Sequence, residues 1–134
     1  MQKSSGTISE LNHQSPKTHS FKDLIAWQRA MQLAFAVYKL TAEFPPEERY
    51  GLSGQMRRAA VSCASNVAEG YSRSTTGELK YHIGVARGEN AELQTQILIA
   101  KGLYLGSPEA INKTEQLANE TGKLLTGFLR ALKK

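Results

Sequence analysis

The sequence is poor in several features that would point to particular classes of protein. It has 134 residues and one cysteine, Cys63, so a disulfide within the chain is excluded. No apolar run approaches the roughly 18 residues of a membrane-spanning helix, and we expect no contact with a membrane. Residues 1–20 lack the apolar segment of a secretory signal, which favours a cytoplasmic protein.

The motifs of common enzyme and metal sites are also absent from the sequence. There is no glycine-rich phosphate loop, no zinc-type Cys/His spacing and no Glu-x-x-His pair of the di-iron bundles. Glu78 and His82 stand four residues apart, which predicts a surface ion pair on one helix. Cys63 lies among apolar residues and is predicted to be a small core residue. We therefore expect no enzymatic activity, no cofactor and no metal.

The charge balance is moderately basic. The chain has 17 Lys and Arg against 12 Asp and Glu, a net charge of +5 and a pI of about 9.4. Such a charge permits contact with nucleic acid, and a symmetric assembly would multiply it on one object. Nucleic acid, RNA or DNA, is thus the first partner to consider.

The apolar pattern predicts an all-α protein. Residues 1–20 are polar and predict a disordered tail, whereas residues 21–134 predict one domain. Apolar residues recur at helical spacing in four later segments, and no alternating strand pattern is present. The predicted helices are 23–43, 49–71, 76–105 and 108–132. Short connections with Pro or Gly between them predict an up-down-up-down antiparallel four-helix bundle.

Each predicted helix has an apolar stripe and a start signal. Asp23 is predicted to cap the first helix, and either Thr75 or Ser74 the third. With Thr75 as the cap, Glu78 would complete a capping box. Ser107 and Pro108 begin the fourth helix. The stripe of the first helix is Leu24, Trp27, Met31, Ala34, Phe35 and Tyr38. The third helix shows a heptad seam, on which the polar Asn90 would specify register: Leu79, Ile83, Ala86, Asn90, Leu93, Ile97, Ala100 and Tyr104. The stripe of the fourth helix is Ile111, Thr114, Leu117, Ala118, Thr121, Leu124, Leu125 and Phe128.

The second predicted helix carries two stripes instead of one. Its apolar stripe is Leu52, Met56, Ala59, Ala60, Cys63, Val67 and Tyr71. Its polar stripe is Gln55, Arg58, Ser62, Asn66, Glu69 and Arg73. A solvated face normally carries Lys and Glu, so this pattern predicts a specific polar network at an oligomer interface or a binding site. We assign to that network Gln55, Ser62, Asn66 and Glu69, together with Asn90 and Glu92 of the third helix.

Basic residues are the candidate phosphate contacts. They are Arg57, Arg58, Arg73, Lys80 and Arg87. The alternative is that these residues form ion pairs with the carboxylates of Glu47, Glu48, Glu69, Glu89 and Glu92. The sequence leaves both interpretations open. Few aromatic residues are interleaved with the basic ones, so base stacking has little support.

Three motifs resemble a known family. They are Phe44-Pro45-x-x-Glu48-x-Tyr50-Gly51-Leu52, Gln55-x-Arg57-Arg58-Ala59-Ala60-Val61-Ser62 and Ser65-Asn66-Val67-Ala68-Glu69-Gly70-x-x-Arg73. Over residues 21–105 the chain resembles the four-helix-bundle proteins encoded in 23S rRNA intervening sequences. It departs from that pattern at Cys63-Ala64, where Ile-Pro is common, and at Glu89, where Ser is common.

The resemblance implies a small cytoplasmic bacterial protein that forms homopentamers and has no enzymatic activity. The family is similar to the accessory variability proteins of diversity-generating retroelements, which bind nucleic acid and a reverse transcriptase. The implied partners are therefore other copies of the chain, RNA or DNA, and a reverse transcriptase. The alternative is a protein–protein adaptor in which the polar stripe only holds the oligomer together.

Overall fold

The computed structural model describes residues 20–133 of the chain. Its α-helices are α1 (Ile25–Thr41), α2 (Leu52–Tyr71), α3 (Thr76–Gly102) and α4 (Pro108–Leu132), and single 3-10 turns lie at Phe21–Asp23 and Pro46–Glu48. The helices pack in the cyclic order α1, α2, α3, α4, each against its two neighbours. The predicted up-down-up-down four-helix bundle is confirmed. The predicted tail lies outside the described residues, apart from Ser20.

The helix starts follow the predicted caps with one exception. The hydroxyls of Thr75 and Ser107 each accept a backbone hydrogen bond three residues on, at 3.1 Å. The predicted cap at Asp23 is wrong. Asp23 belongs to the preceding 3-10 turn, where its carboxylate accepts from the Ser20 N–H at 3.2 Å. Leu24 is the N-cap residue of α1 and forms no side-chain cap.

The apolar stripes of α2, α3 and α4 form the core as predicted, apart from one residue of α3. Their buried members include Met56, Val67, Ile83, Leu93 and Leu125. Phe44 folds back from the α1–α2 connection into the same core. Gly106 has a φ of +76°, and a Cβ there would lie 2.5 Å from the Leu40 side chain. A side chain at this position would therefore displace the end of α1.

The buried face of α1 differs from the prediction. Ala30, Leu33 and Val37 line the core, whereas Phe35 is 63% exposed and Tyr38 is 45% exposed. Trp27, Met31 and Ala34 are half-buried. The helix has two apolar stripes about a third of a turn apart, and spacing alone cannot decide between them. The stripe that contains the buried alanines, such as Ala30, faces the core, because small side chains let α1 approach its neighbours closely.

The end of α3 also differs from the prediction. The helix stops at Gly102, and the N–H of Leu105 bonds to the carbonyl of Ala100 at 2.9 Å, as in a Schellman motif. Tyr104 occupies the left-handed position of this motif, with a φ of +57°. Glycine is usual there, and a left-handed residue with a side chain costs about 1–2 kcal/mol. Tyr104 therefore lies outside the seam, 92% exposed.

Candidate nucleic-acid interface

The polar residues of α2 mostly bind partners within the chain. Because α2 and α3 are antiparallel, Arg58 lies opposite Glu92, and their side chains form an ion pair at 3.4 Å. The Glu92 carboxylate also accepts from the Gln96 amide at 3.3 Å. Both charged side chains are largely exposed, so the pair contributes about 0–1 kcal/mol to stability. Its main consequence is that the charge of Arg58 is compensated.

Arg73 is also compensated, at the turn between α2 and α3. Its guanidinium binds the carboxylates of Glu69 at 2.9 Å and Glu78 at 3.4 Å. The hydrogen bond from the Thr75 side chain lowers the pKa of Glu78, and Arg73 lowers it further. Arg73 thus lies between two carboxylates, which compensate its charge.

Asn66 links α2 to α3. Its amide donates to the Ser62 carbonyl at 2.9 Å, and its Oδ1 lies 3.0 Å from Nδ1 of His82. Since that Oδ1 can only accept, Nδ1 of His82 carries the proton in this arrangement. The two helices approach closely here because residue 70 is glycine, and a Cβ on Gly70 would lie 2.8 Å from His82. The predicted Glu78–His82 ion pair is wrong, since each residue binds a different partner.

Arg57 faces α1. Its Nε donates to the Thr41 hydroxyl at 2.8 Å, and its guanidinium lies 4.6 Å from the centre of the Tyr38 ring. The stacked and hydrogen-bonded arrangement holds Arg57 against the α1–α2 boundary. Gln55 is exposed near the start of α2.

Glu89 and Asn90 belong to two different contacts. Asn90 is 1% exposed and donates to the Ala118 carbonyl of α4 at 3.0 Å. Gly122 leaves room for it, because a Cβ there would lie 2.9 Å from the Asn90 amide. Glu89 is half-buried, and its negative charge affects the pKa of Cys63 of α2. Burial raises the pKa of Cys63 to about 12, with Glu89 as a second cause, so the thiol stays protonated at neutral pH.

A basic groove runs between α3 and α4. Two cavities of about 540 and 370 Å³ form it, and Arg87, Thr126 and Arg130 line both. The basic groove is defined by its cationic side chains, which are Lys80, Arg87, Lys123, Arg130 and Lys133. No carboxylate lines either cavity. Within residues 20–133, none of these cations forms an ion pair.

Helical spacing explains the alignment of the groove. Lys80 and Arg87 are seven residues apart on α3, as are Lys123 and Arg130 on α4, so each pair lies on one side of its helix. A Cβ on Gly84 or Gly127 would meet nothing within 4 Å, which leaves the walls open. Lys123, Arg130 and Lys133 of α4 were not among the predicted phosphate contacts. The seven-residue spacing of Lys123 and Arg130 matches that of Lys80 and Arg87, and this spacing could have identified them.

Beyond the cations of the basic groove, the α3–α4 boundary is neutral or compensated. The Gln94 amide donates to Asn119 at 2.8 Å, and Lys101 pairs with Glu115 at 3.5 Å. The unpaired positive charge is therefore concentrated toward the start of α3 and the end of α4.

The fold and the basic groove define a small helical bundle with a cationic face between α3 and α4. A family model of the 23S rRNA-intervening sequence proteins matches residues 22–127. The chain belongs to this family, which confirms the resemblance found in the sequence. No match is found among curated proteins.

The described part of the chain shows neither a candidate membrane-spanning helix nor a candidate metal site. Between residues 20 and 133, no helix has the length and apolarity to cross a bilayer. The same residues contain no group of three or more His, Cys, Asp or Glu side chains placed to hold a metal ion.

Proposed function

We propose that this protein is a non-enzymatic, homo-oligomeric accessory factor that binds RNA or DNA through the basic groove. The observation that carries the proposal is the set of unpaired cations between α3 and α4, with no carboxylate among the lining residues. Phosphates would release counterions from these side chains and supply most of the affinity.

The spacing of the cations suits a phosphate backbone. Lys80 and Arg87 are separated by about 10 Å along α3, at about 1.5 Å per residue. A strand that rises about 3.4 Å per nucleotide passes roughly three phosphates over that length. The basic groove contains no aromatic side chain, so it is suited to sequence-independent contacts.

The proposal divides the predicted phosphate contacts into two groups. Lys80 and Arg87 lie in the basic groove and are retained. Arg58 and Arg73 have carboxylate partners, and Arg57 is held by α1, so we assign them no direct phosphate contact. The polar stripe of α2 then has a structural role in joining α2 to α3.

The exposed apolar stripe of α1 supports the homo-oligomer. Trp27, Met31, Phe35 and Tyr38 lie on a face that no other helix covers fully. Such a patch is typical of a protein interface. We expect Phe35→Glu to lower the mass measured by light scattering, and an unchanged mass would exclude this face. The pentameric state and a reverse transcriptase partner stay predictions from the resemblance.

A salt series tests the proposed binding. Purified protein is titrated into labelled structured RNA and duplex DNA between 50 and 300 mM salt. If four or five cations contact phosphates, log K should fall with log salt with a slope of about −4. No binding at low salt would overturn the proposal and favour the protein–protein adaptor.

A further inference from the structure

The end of the bundle that holds the α3–α4 connection carries an unusually exposed aromatic residue. Tyr104 is 92% exposed, and its ring forms no aromatic or cation–π contact within residues 20–133. Tyr50, on the α1–α2 connection, is 91% exposed at the same end, but its ring lies 5.9 Å from the Arg49 guanidinium.

The backbone conformation at Tyr104 also indicates that the exposed ring does not stabilise the fold. Its φ of +57° belongs to the left-handed region, where glycine is the favoured residue. A glycine would satisfy the same Schellman hydrogen bonds without strain. Tyrosine at this position thus opposes stability and buries almost no surface. Strain of this kind is commonly retained where a side chain has a function.

The position of Tyr104 connects it to the basic groove. With Lys101 and Asn112, it lines a cavity of about 390 Å³ at the far end of the α3–α4 face. The face begins at Lys80, which lies about 31 Å from Lys101 along α3 at 1.5 Å per residue. One strand lying along this face would meet the cations first and the tyrosine ring last.

We propose that Tyr104 stacks on an unpaired base of the nucleic acid whose phosphates lie in the basic groove. The inference rests on the proposed function. A tyrosine ring is a sequence-tolerant platform for a base, and the amide of the neighbouring Asn112 can donate a hydrogen bond to the same nucleotide. At a rise of about 3.4 Å, roughly nine stacked nucleotides span the distance from Lys80. The ligand therefore carries an unpaired base roughly nine nucleotides from the phosphate at Lys80.

The test compares two RNA hairpins of equal duplex length, one blunt and one with a ten-nucleotide 3′ or 5′ extension. Tyr104→Gly removes the ring and suits the left-handed backbone, so its melting temperature should equal or exceed that of the wild type. Its affinity for the extended hairpin should fall about fivefold or more. Its affinity for the blunt hairpin should not change. Tyr104→Phe keeps the ring and should bind like the wild type.

Tyr50→Ala is the matched control, since it removes an equally exposed ring at the same end of the bundle. An equal loss in Tyr50→Ala would overturn the assignment to Tyr104. So would an unchanged affinity of Tyr104→Gly for the extended hairpin, or an equal loss for both hairpins. In each of these cases the salt-dependent binding of the wild type would still support the proposed function. If the wild type binds neither RNA, both proposals fail together.

Discussion

The two long faces on either side of α3 use basic residues in opposite ways. Toward α2, Arg58 and Arg73 each lie against carboxylates, and Asn66 and His82 hydrogen bond to each other. Toward α4, Arg87 and Arg130 have no such partner within residues 20–133. Arginines of similar exposure thus contribute to the bundle on one face and are available to a ligand on the other.

The comparison shows why net charge is a poor guide to a binding face. Paired surface charges are compensated locally, and the pairs themselves add only about 0–1 kcal/mol to stability. The electric fields of unpaired cations that line one groove add together there, and the combined field attracts an anion.

Double substitutions on the two faces should differ most. Arg87→Ala with Arg130→Ala should lower RNA affinity about tenfold for each lost contact at 0.1 M salt and flatten the salt slope by about 0.9 for each. Arg58→Ala with Arg73→Ala makes the same change in net charge and should have a much smaller effect. Fluorescence anisotropy measures both. Equal losses would mean that total charge, and not the basic groove, determines binding.

Asn66→Ala should affect stability and leave binding intact. The substitution removes the partner of His82 and should lower the free energy of unfolding by about 1–3 kcal/mol, because half-buried polar groups lose their hydrogen bonds. Urea denaturation measures the loss, and Ser65→Ala at the exposed neighbour is the control. If instead the mass shifts toward monomer while unfolding is unchanged, the polar stripe holds the oligomer, as the adaptor hypothesis predicts.

Gly127 allows the charge of the groove to be changed in either direction. A Cβ on Gly127 would meet nothing within 4 Å, so a side chain fits there. Replacing this mid-helix glycine with Glu or Lys should stabilise α4 by about 0.5–1 kcal/mol. Gly127→Glu should weaken RNA binding severalfold, and Gly127→Lys should strengthen it. Similar affinities for the two variants would place the ligand elsewhere.

The smallest effect concerns Glu78 on the compensated face. Its folded-state pKa is lowered, so its contribution to stability is present above the unfolded pKa and is lost as pH falls through the folded one. Thr75→Ala removes the largest cause and should move the pKa of Glu78 back toward its ordinary value. An NMR titration of the side-chain carboxyl measures the shift. No change would assign the lowering to Arg73 instead.

Much of the fold could be predicted from the sequence because the apolar spacing of α2, α3 and α4 indicates a single buried face on each helix. The face of α1 could not, because Leu33 and Phe35 belong to two equally regular stripes and only packing selects one. Tyr104 fits a heptad seam by spacing, but the helix ends two residues earlier. Local hydrogen bonds, which spacing does not encode, set that end.

The basic groove was only half predicted. Lys80 and Arg87 are visible as a repeat of seven, but their partners from α4 come together with them only when the bundle closes. Ion pairing is likewise a property of the fold, since Arg58 and Glu92 are 34 residues apart in sequence. The sequence therefore indicates which side chains can bind phosphate, and the fold determines which of them are unpaired.

Lysine footprinting tests whether RNA lies in the basic groove. The protein is acetylated briefly with and without bound RNA, and mass spectrometry measures the protection of each lysine. We expect strong protection of Lys80, Lys123 and Lys133 in the basic groove. We expect little protection of Lys39 and Lys113, which line the adjacent α1–α4 face. Equal protection on both faces, or protection of the α1–α4 face alone, would mean that RNA does not bind through the basic groove.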